Sequence, residues 1–222
     1  MNENDNLAPF LLEAKNISHK FDYELFNNIN FSLREKETIA IIGVSGCGKS
    51  TLLNIFCSLL QPQEGEVYYK NNNIFSLTHE QMLKLRRDKF GIIFQAHYLF
   101  RGFNAKQNLQ IAQLLSGEPI DNELLKTLNI EHILDQGIGE LSGGQQQRLS
   151  IARILTKKPK IIFADEPTGN LDTQTANEVI DILFKYVSKQ NSGMILVTHD
   201  ENIAFACDKV YKLNNQKLEQ LK

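Results

Sequence analysis

The apolar run Thr38 to Ile42 passes without a break into Gly43-Val44-Ser45-Gly46-Cys47-Gly48 and then into Lys49-Ser50-Thr51. A strand this uniformly apolar is buried on both faces, as strands of parallel sheets are. The segment Lys49 to Leu60 has helical spacing and is closed by the breakers Pro62 and Gly65. Parallel strands need long crossovers, so this strand–loop–helix unit demands further strands alternating with helices. The sequence predicts strands at Leu11–Phe21, Ile29–Leu33, Phe90–Phe94, Ile161–Ala164 and Met194–Thr198. It predicts an edge strand at Glu66–Tyr69 with a turn at Asn71–Asn73, and a closing hairpin of Lys209–Leu213 and Lys217–Leu221 around Asn214-Asn215. Thr78 and Gln81 form a capping box for a helix to about Arg87, and helices are predicted at Asn122–Leu128, Gln145–Leu155 and Thr173–Ser188. The expected fold is α/β, with a mostly parallel sheet, an N-terminal antiparallel β portion and a helical subdomain inserted over roughly 95–155. The 222 residues are expected to form a single domain.

The loop fits the pattern Gly-x-x-x-x-Gly-Lys-Ser at every specified position, with a strand before it and a helix after it. Glycines let backbone N–H groups turn inward around a phosphate, and the helix start adds its positive dipole end. Lys49 is placed to neutralise β- and γ-phosphates and Ser50 to ligate Mg²⁺, with Thr51 alongside. Cys47 sits where any small side chain suffices.

Composition removes several other classes. The charge is balanced, 24 basic against 26 acidic residues, and gives no sign of a nucleic-acid-binding surface. The cysteines Cys47, Cys57 and Cys207 are too scattered for a disulfide framework or a zinc site, which fits a reduced, cytosolic setting. The polar segment Met1 to Pro9 lacks the features of a signal peptide, and no run approaches the roughly 20 apolar residues of a bilayer span. Membrane work would therefore require an anchoring partner.

A second constellation follows. Ile161-Ile162-Phe163-Ala164-Asp165-Glu166 is an apolar strand ending in two carboxylates, a Walker B arrangement. Asp165 can hold Mg²⁺ through its water shell, and Glu166 can orient or deprotonate an attacking water. Leu141-Ser142-Gly143-Gly144-Gln145 resembles the signature motif of ABC ATPases, and the likeness extends over nearly the whole chain. Phe94-Gln95-Ala96-His97 resembles the Q-loop, Asn170-Leu171-Asp172 the D-loop and Val197-Thr198-His199-Asp200 the H-loop, in family order.

The resemblance implies an ATP-hydrolysing motor whose Ser142-Gly143-Gly144-Gln145 cradle faces ATP held by a second copy of the chain. It implies that His199 contacts the γ-phosphate and holds Glu166, that Gln95 serves both catalysis and Mg²⁺, and that Asp172 couples the two sites. The adenine-stacking aromatic falls on Phe21, with Tyr23 as the alternative and core packing of Phe21 as a third reading. Of the remaining histidines, His19, His79 and His132 are expected at the surface, and His97 either touches a partner or does not.

The string Ala164-Asp165-Glu166-Pro167-Thr168-Gly169-Asn170-Leu171-Asp172 looks like the subgroup of lipoprotein-releasing, macrolide-export and cell-division ATPases. That implies integral membrane permease subunits as partners and a place on the inner face of the cell membrane. Tyr98, Leu99, Phe100 and Phe103 form an apolar cluster, either a socket for a permease helix or core of the subdomain. The alternative function is a soluble ABC ATPase that drives assembly of another complex, such as iron–sulfur cluster biogenesis.

Overall fold

The computed structural model describes residues 10–169 and 171–222. In chain order the strands and helices are β1 (Leu12–Lys20), β2 (Glu24–Leu33), β3 (Thr38–Ile42), α1 (Lys49–Phe56), β4 (Glu64–Tyr69), β5 (Asn72–Asn73), α2 (His79–Asp88) and β6 (Phe90–Ile93). Then come α3 (Ala105–Ser116), α4 (Asn122–Thr127), α5 (Gly143–Thr156), β7 (Ile161–Asp165), α6 (Thr173–Gln190), β8 (Gly193–Val197), α7 (Glu201–Ala206), β9 (Lys209–Asn214) and β10 (Lys217–Gln220).

Two sheets result. The larger has the order β10-β9-β3-β8-β7-β6, parallel throughout except for the terminal hairpin of β9 and β10. The smaller, β2-β1-β4-β5, is antiparallel. Strand pleating divides the core in two, because successive side chains point to opposite faces. Ala40, Ile42, Ile162, Ala164, Met194 and Leu196 face a core shared with α5, α6 and the helical segment between β6 and β7. Ile39, Ile41, Ile161, Phe163, Ile195 and Val197 face the other core, shared with α1 and the antiparallel sheet.

The expected sheets and helices are present, with five differences. Helix α1 stops at Phe56, four residues before the expected end at Leu60. Ser58 turns left-handed (φ 65°), and the N–H groups of Leu59 and Leu60 both fold back onto the Asn54 carbonyl. Strand β4 is not an edge: the left-handed pair Lys70-Asn71 makes the turn, and Asn72-Asn73 return to pair with Tyr68 and Tyr69. Strand β2 begins at Glu24, well before Ile29. Two helices were not anticipated as such, α3 and the short α7.

The fifth difference concerns His19, which is buried rather than at the surface. Asn16 takes φ 53° and β1 shifts register between Ala14 and Ile17, so Ile17 and His19 join Leu12 and Ala14 on the inner face. A bulge of this kind breaks the two-residue alternation on which such an expectation rests. His79 and His132 are exposed as expected.

Candidate functional site

Four parallel strands deliver the chemistry to one edge of the large sheet. Strand β3 runs into the glycine loop and Lys49, β6 into Gln95, β7 into Asp165 and Glu166, and β8 into His199. The carboxyl ends of parallel strands are where open α/β sheets hold ligands.

The loop is built around a cation. Lys49 is buried, and its ammonium donates to the carbonyls of Gly43 (2.9 Å) and Val44 (3.0 Å). Val44, Ser45 and Gly46 form the exposed crest. Gly43 and Gly48 are indispensable for different reasons. A Cβ on Gly43 would meet the Leu213 carbonyl at 2.6 Å, whereas Gly48 takes φ 103° at the start of α1. Beside the loop lies a cavity of about 200 Å³ bordered by Phe21, Tyr23, Gly46, Lys49, Ser50 and Thr51. Phe21 is exposed and held edge-on by His19 at 4.9 Å, so it is not core, and Tyr23 borders the same space. Cys47, within the loop, is half-buried, while burial pushes the thiols of Cys57 and Cys207 up to about 12.

At the tip of β7, the Ser50 hydroxyl donates to Asp165 Oδ1 at 3.0 Å. Burial raises the pKa of Asp165, and the charge of Glu166 adds to this, against the opposing pull of the Ser50 hydrogen bond and the Lys49 charge. Glu166 occupies the left-handed region (φ 46°), pinned by its own N–H to the Val197 carbonyl (2.9 Å) and by the Gly169 N–H to its carbonyl (3.2 Å). A non-glycine residue held there stores strain that the surroundings must over-determine. Its carboxylate Oε2 lies 2.9 Å from Nδ1 of His199. Gln95 is exposed, with its amide nitrogen 3.6 Å from where a Cβ on Gly169 would stand.

Ser142, Gly143 and Gly144 stand at the start of α5. Ser142 caps α5: its hydroxyl accepts from the Gln145 N–H (3.2 Å), and the Gln145 side chain accepts from the Ser142 N–H (2.8 Å). Ser142 and Gly143 are exposed, and nothing crowds the Gly143 α-carbon. Gly144 packs against Leu171 and Thr175. Asp172 caps α6 by accepting from the Thr175 N–H (3.0 Å) and hydroxyl (2.7 Å), which holds its carboxyl below the usual range. Asn170, in the same loop, lies outside the described residues. One tie carries no motif signal: the buried Gln147 amide donates to the Pro167 carbonyl, joining α5 to the segment after Glu166. Leu99 packs into the core, whereas Tyr98, Phe100 and Phe103 are exposed.

Residues 26–169 match the family model described as ABC transporter. The lipoprotein-releasing system ATP-binding protein LolD of Rickettsia bellii is 41% identical, over 94% of this chain and 97% of its own length. The LolD protein of Xanthomonas euvesicatoria is 38% identical, over 89% of this chain and 83% of its own. Among solved structures, the dimeric MJ0796, a bacterial ABC transporter cassette, superposes with a TM-score of 0.86 at 33% identity, covering 95% of this chain and 99% of that one. The same cassette in a post-hydrolysis state bound to ADP and Pi also gives a TM-score of 0.86, at 32% identity. The chain belongs to the ABC transporter ATP-binding family, as an ATP hydrolase with the cassette fold. Among the described residues, no helix is long and apolar enough to cross a membrane.

Proposed function

We propose that this chain is the motor of a LolD-like lipoprotein-releasing system, in which two copies sandwich two ATP molecules and drive integral membrane permease subunits from the inner face of the membrane. The observation that carries this reading is the near full-length likeness to LolD proteins. The dimeric state of MJ0796 supports the sandwich. The relatives support transport over the assembly alternative.

In this reading the β- and γ-phosphates take the Lys49 ammonium from the carbonyls it now contacts, with Gly43 to Gly48 supplying backbone donors and Phe21 stacking on the base. Ser50 and Asp165 fit a Mg²⁺ ion, since two hard oxygen donors already stand 3.0 Å apart at the end of β7. Gln95 completes that set. The ion, when bound, draws negative charge from the phosphate oxygens. Glu166 accepts a proton from the attacking water, and His199 fixes the carboxylate toward it. Ser142, Gly143, Gly144 and Gln145 of one copy cap the γ-phosphate held by the other, and Asp172 lies on the same face.

The test is reconstitution. A tagged chain is expected to co-purify from detergent-solubilised membranes with integral membrane proteins, and the complex in lipid vesicles to release an embedded lipoprotein only with ATP. Recovery of cytosolic partners alone, or ATP-driven activity with no lipoprotein release, would overturn the assignment.

A further inference from the structure

Helix α5 holds the segment around Gln95 at two points, one on each side of it. After Gln95, the Arg153 guanidinium donates from Nη1 to the Tyr98 carbonyl (2.9 Å) and from Nη2 to the His97 carbonyl (3.4 Å). The buried Ser150 hydroxyl donates to the same His97 carbonyl at 3.0 Å. Before Gln95, the Lys157 ammonium donates to the carbonyls of Phe90 (3.0 Å) and Arg86 (3.2 Å). Lys157 closes α5 as its C-cap and falls on the same side as positions 150 and 153. Gly91 makes the approach possible: a Cβ there would lie 2.7 Å from the Ile154 side chain, directly beneath α5.

The opposite end of α5 carries Ser142. The helix from Ser142 to Arg153 spans about 16 Å as a rigid rod at about 1.5 Å per residue. The guanidinium also stands 5.8 Å from the ring centroid of the exposed Phe100. The segment bearing Tyr98 and Phe100 is thus tied directly to the helix that begins at Ser142. Backbone carbonyls bind whatever side chains flank them, so such ties leave no trace in the motifs.

We propose that Arg153 is a positioning residue for hydrolysis, which holds the Gln95 loop in register with Ser142 at the other end of α5. This rests on the two-copy sandwich proposed above. The partners of Arg153 described above, His97, Tyr98 and Phe100, lie outside the loop around Lys49, so its loss affects turnover and pairing of copies rather than ATP capture by one copy.

The experiment compares wild type, Arg153→Ala and Arg153→Lys for kcat, KM for ATP and melting temperature, and repeats Arg153→Ala in a Glu166→Gln background to measure ATP-dependent dimerisation. Expected is a kcat about tenfold lower in Arg153→Ala, with KM within about twofold, and partial recovery in Arg153→Lys, which keeps the charge but not the two-pronged donor. Dimerisation of the double variant is expected to need about tenfold more protein. Unchanged kcat, a change confined to KM, or a loss that only follows the folded fraction overturns the proposal. If Arg153→Ala does not fold, Arg153→Lys decides, and a wild-type kcat there overturns it. A Glu166→Gln chain that stays monomeric with Arg153 intact sinks the sandwich reading instead, while the kcat comparison still judges Arg153.

Discussion

Nδ1 of His199 stands 2.9 Å from Oε2 of Glu166, joining an exposed imidazole to a largely buried carboxylate. An ionised Glu166 can only accept, so this contact places a proton on Nδ1 and leaves Nε2 to face outward. In the proposed mechanism His199 orients this carboxylate. His199→Ala is expected to lower kcat by about 10²-fold or more, with a much smaller change in ATP affinity. Steady-state kinetics alongside calorimetric ATP binding check this, and equal losses in both would assign His199 to binding alone.

Asp165 bears the cost of standing partly buried beside Glu166. Its pKa is raised in the folded chain, so at neutral pH the folded state carries a charge that the unfolded state holds more easily. This destabilisation appears as pH rises through the raised value and is absent in acid, where both states are protonated. Asp165→Asn is therefore expected to raise the melting temperature at pH 7. The same variant is expected to lose the added stabilisation that Mg²⁺ confers with ATP. Thermal scans at pH 7 with and without Mg-ATP test both parts, and a lower melting temperature without nucleotide would contradict the electrostatic account.

The parts legible in sequence were those whose chemistry requires particular residue types in a contiguous run. The glycine loop, the Asp165-Glu166 pair and Ser142-Gly143-Gly144 each stand where the motif placed them, on the expected strand end or helix start. The buried strands were legible because β3, β7 and β8 are apolar on both faces. The left-handed Asn16 was not, since one bulge inverts the face of every residue beyond it, and His19 moved inside. The early stop of α1 depends on the Asn54 carbonyl and a turn at Ser58, with no breaker until Pro62. The ties from Gln147, Ser150 and Arg153 end on backbone carbonyls distant in sequence, which no local pattern can announce.

Lys157 supplies a pH signature for the α5 anchor. Burial lowers its pKa from 10.5 to about 8, against the opposing attraction of Asp88. Between those values the unfolded chain binds a proton that the folded chain does not, so the contribution of Lys157 to stability rises with pH across that window. The unfolding free energy of wild type minus that of Lys157→Met is expected to increase from pH 8 toward 10.5 and to be level below pH 8. Urea titrations of both proteins across that range decide it, because other alkaline titrations cancel in the difference. A flat difference would show that burial does not perturb this lysine.

In the proposed sandwich the residues around Lys49 of one copy and Ser142 of another close on the same ATP. Glu166→Gln retains size and hydrogen bonding but cannot take a proton from water, and general-base assistance is worth roughly 10²–10⁴-fold in rate. Hydrolysis then becomes slow against opening, and the closed pair accumulates. Light scattering on a sizing column with Mg-ATP measures this directly. The expected result is a dimer for Glu166→Gln that disappears when nucleotide is withheld or when Ser142→Arg is added to obstruct the cradle. A Glu166→Gln chain that binds ATP yet elutes as a monomer at high concentration, or a dimer indifferent to Ser142→Arg, would contradict the sandwich.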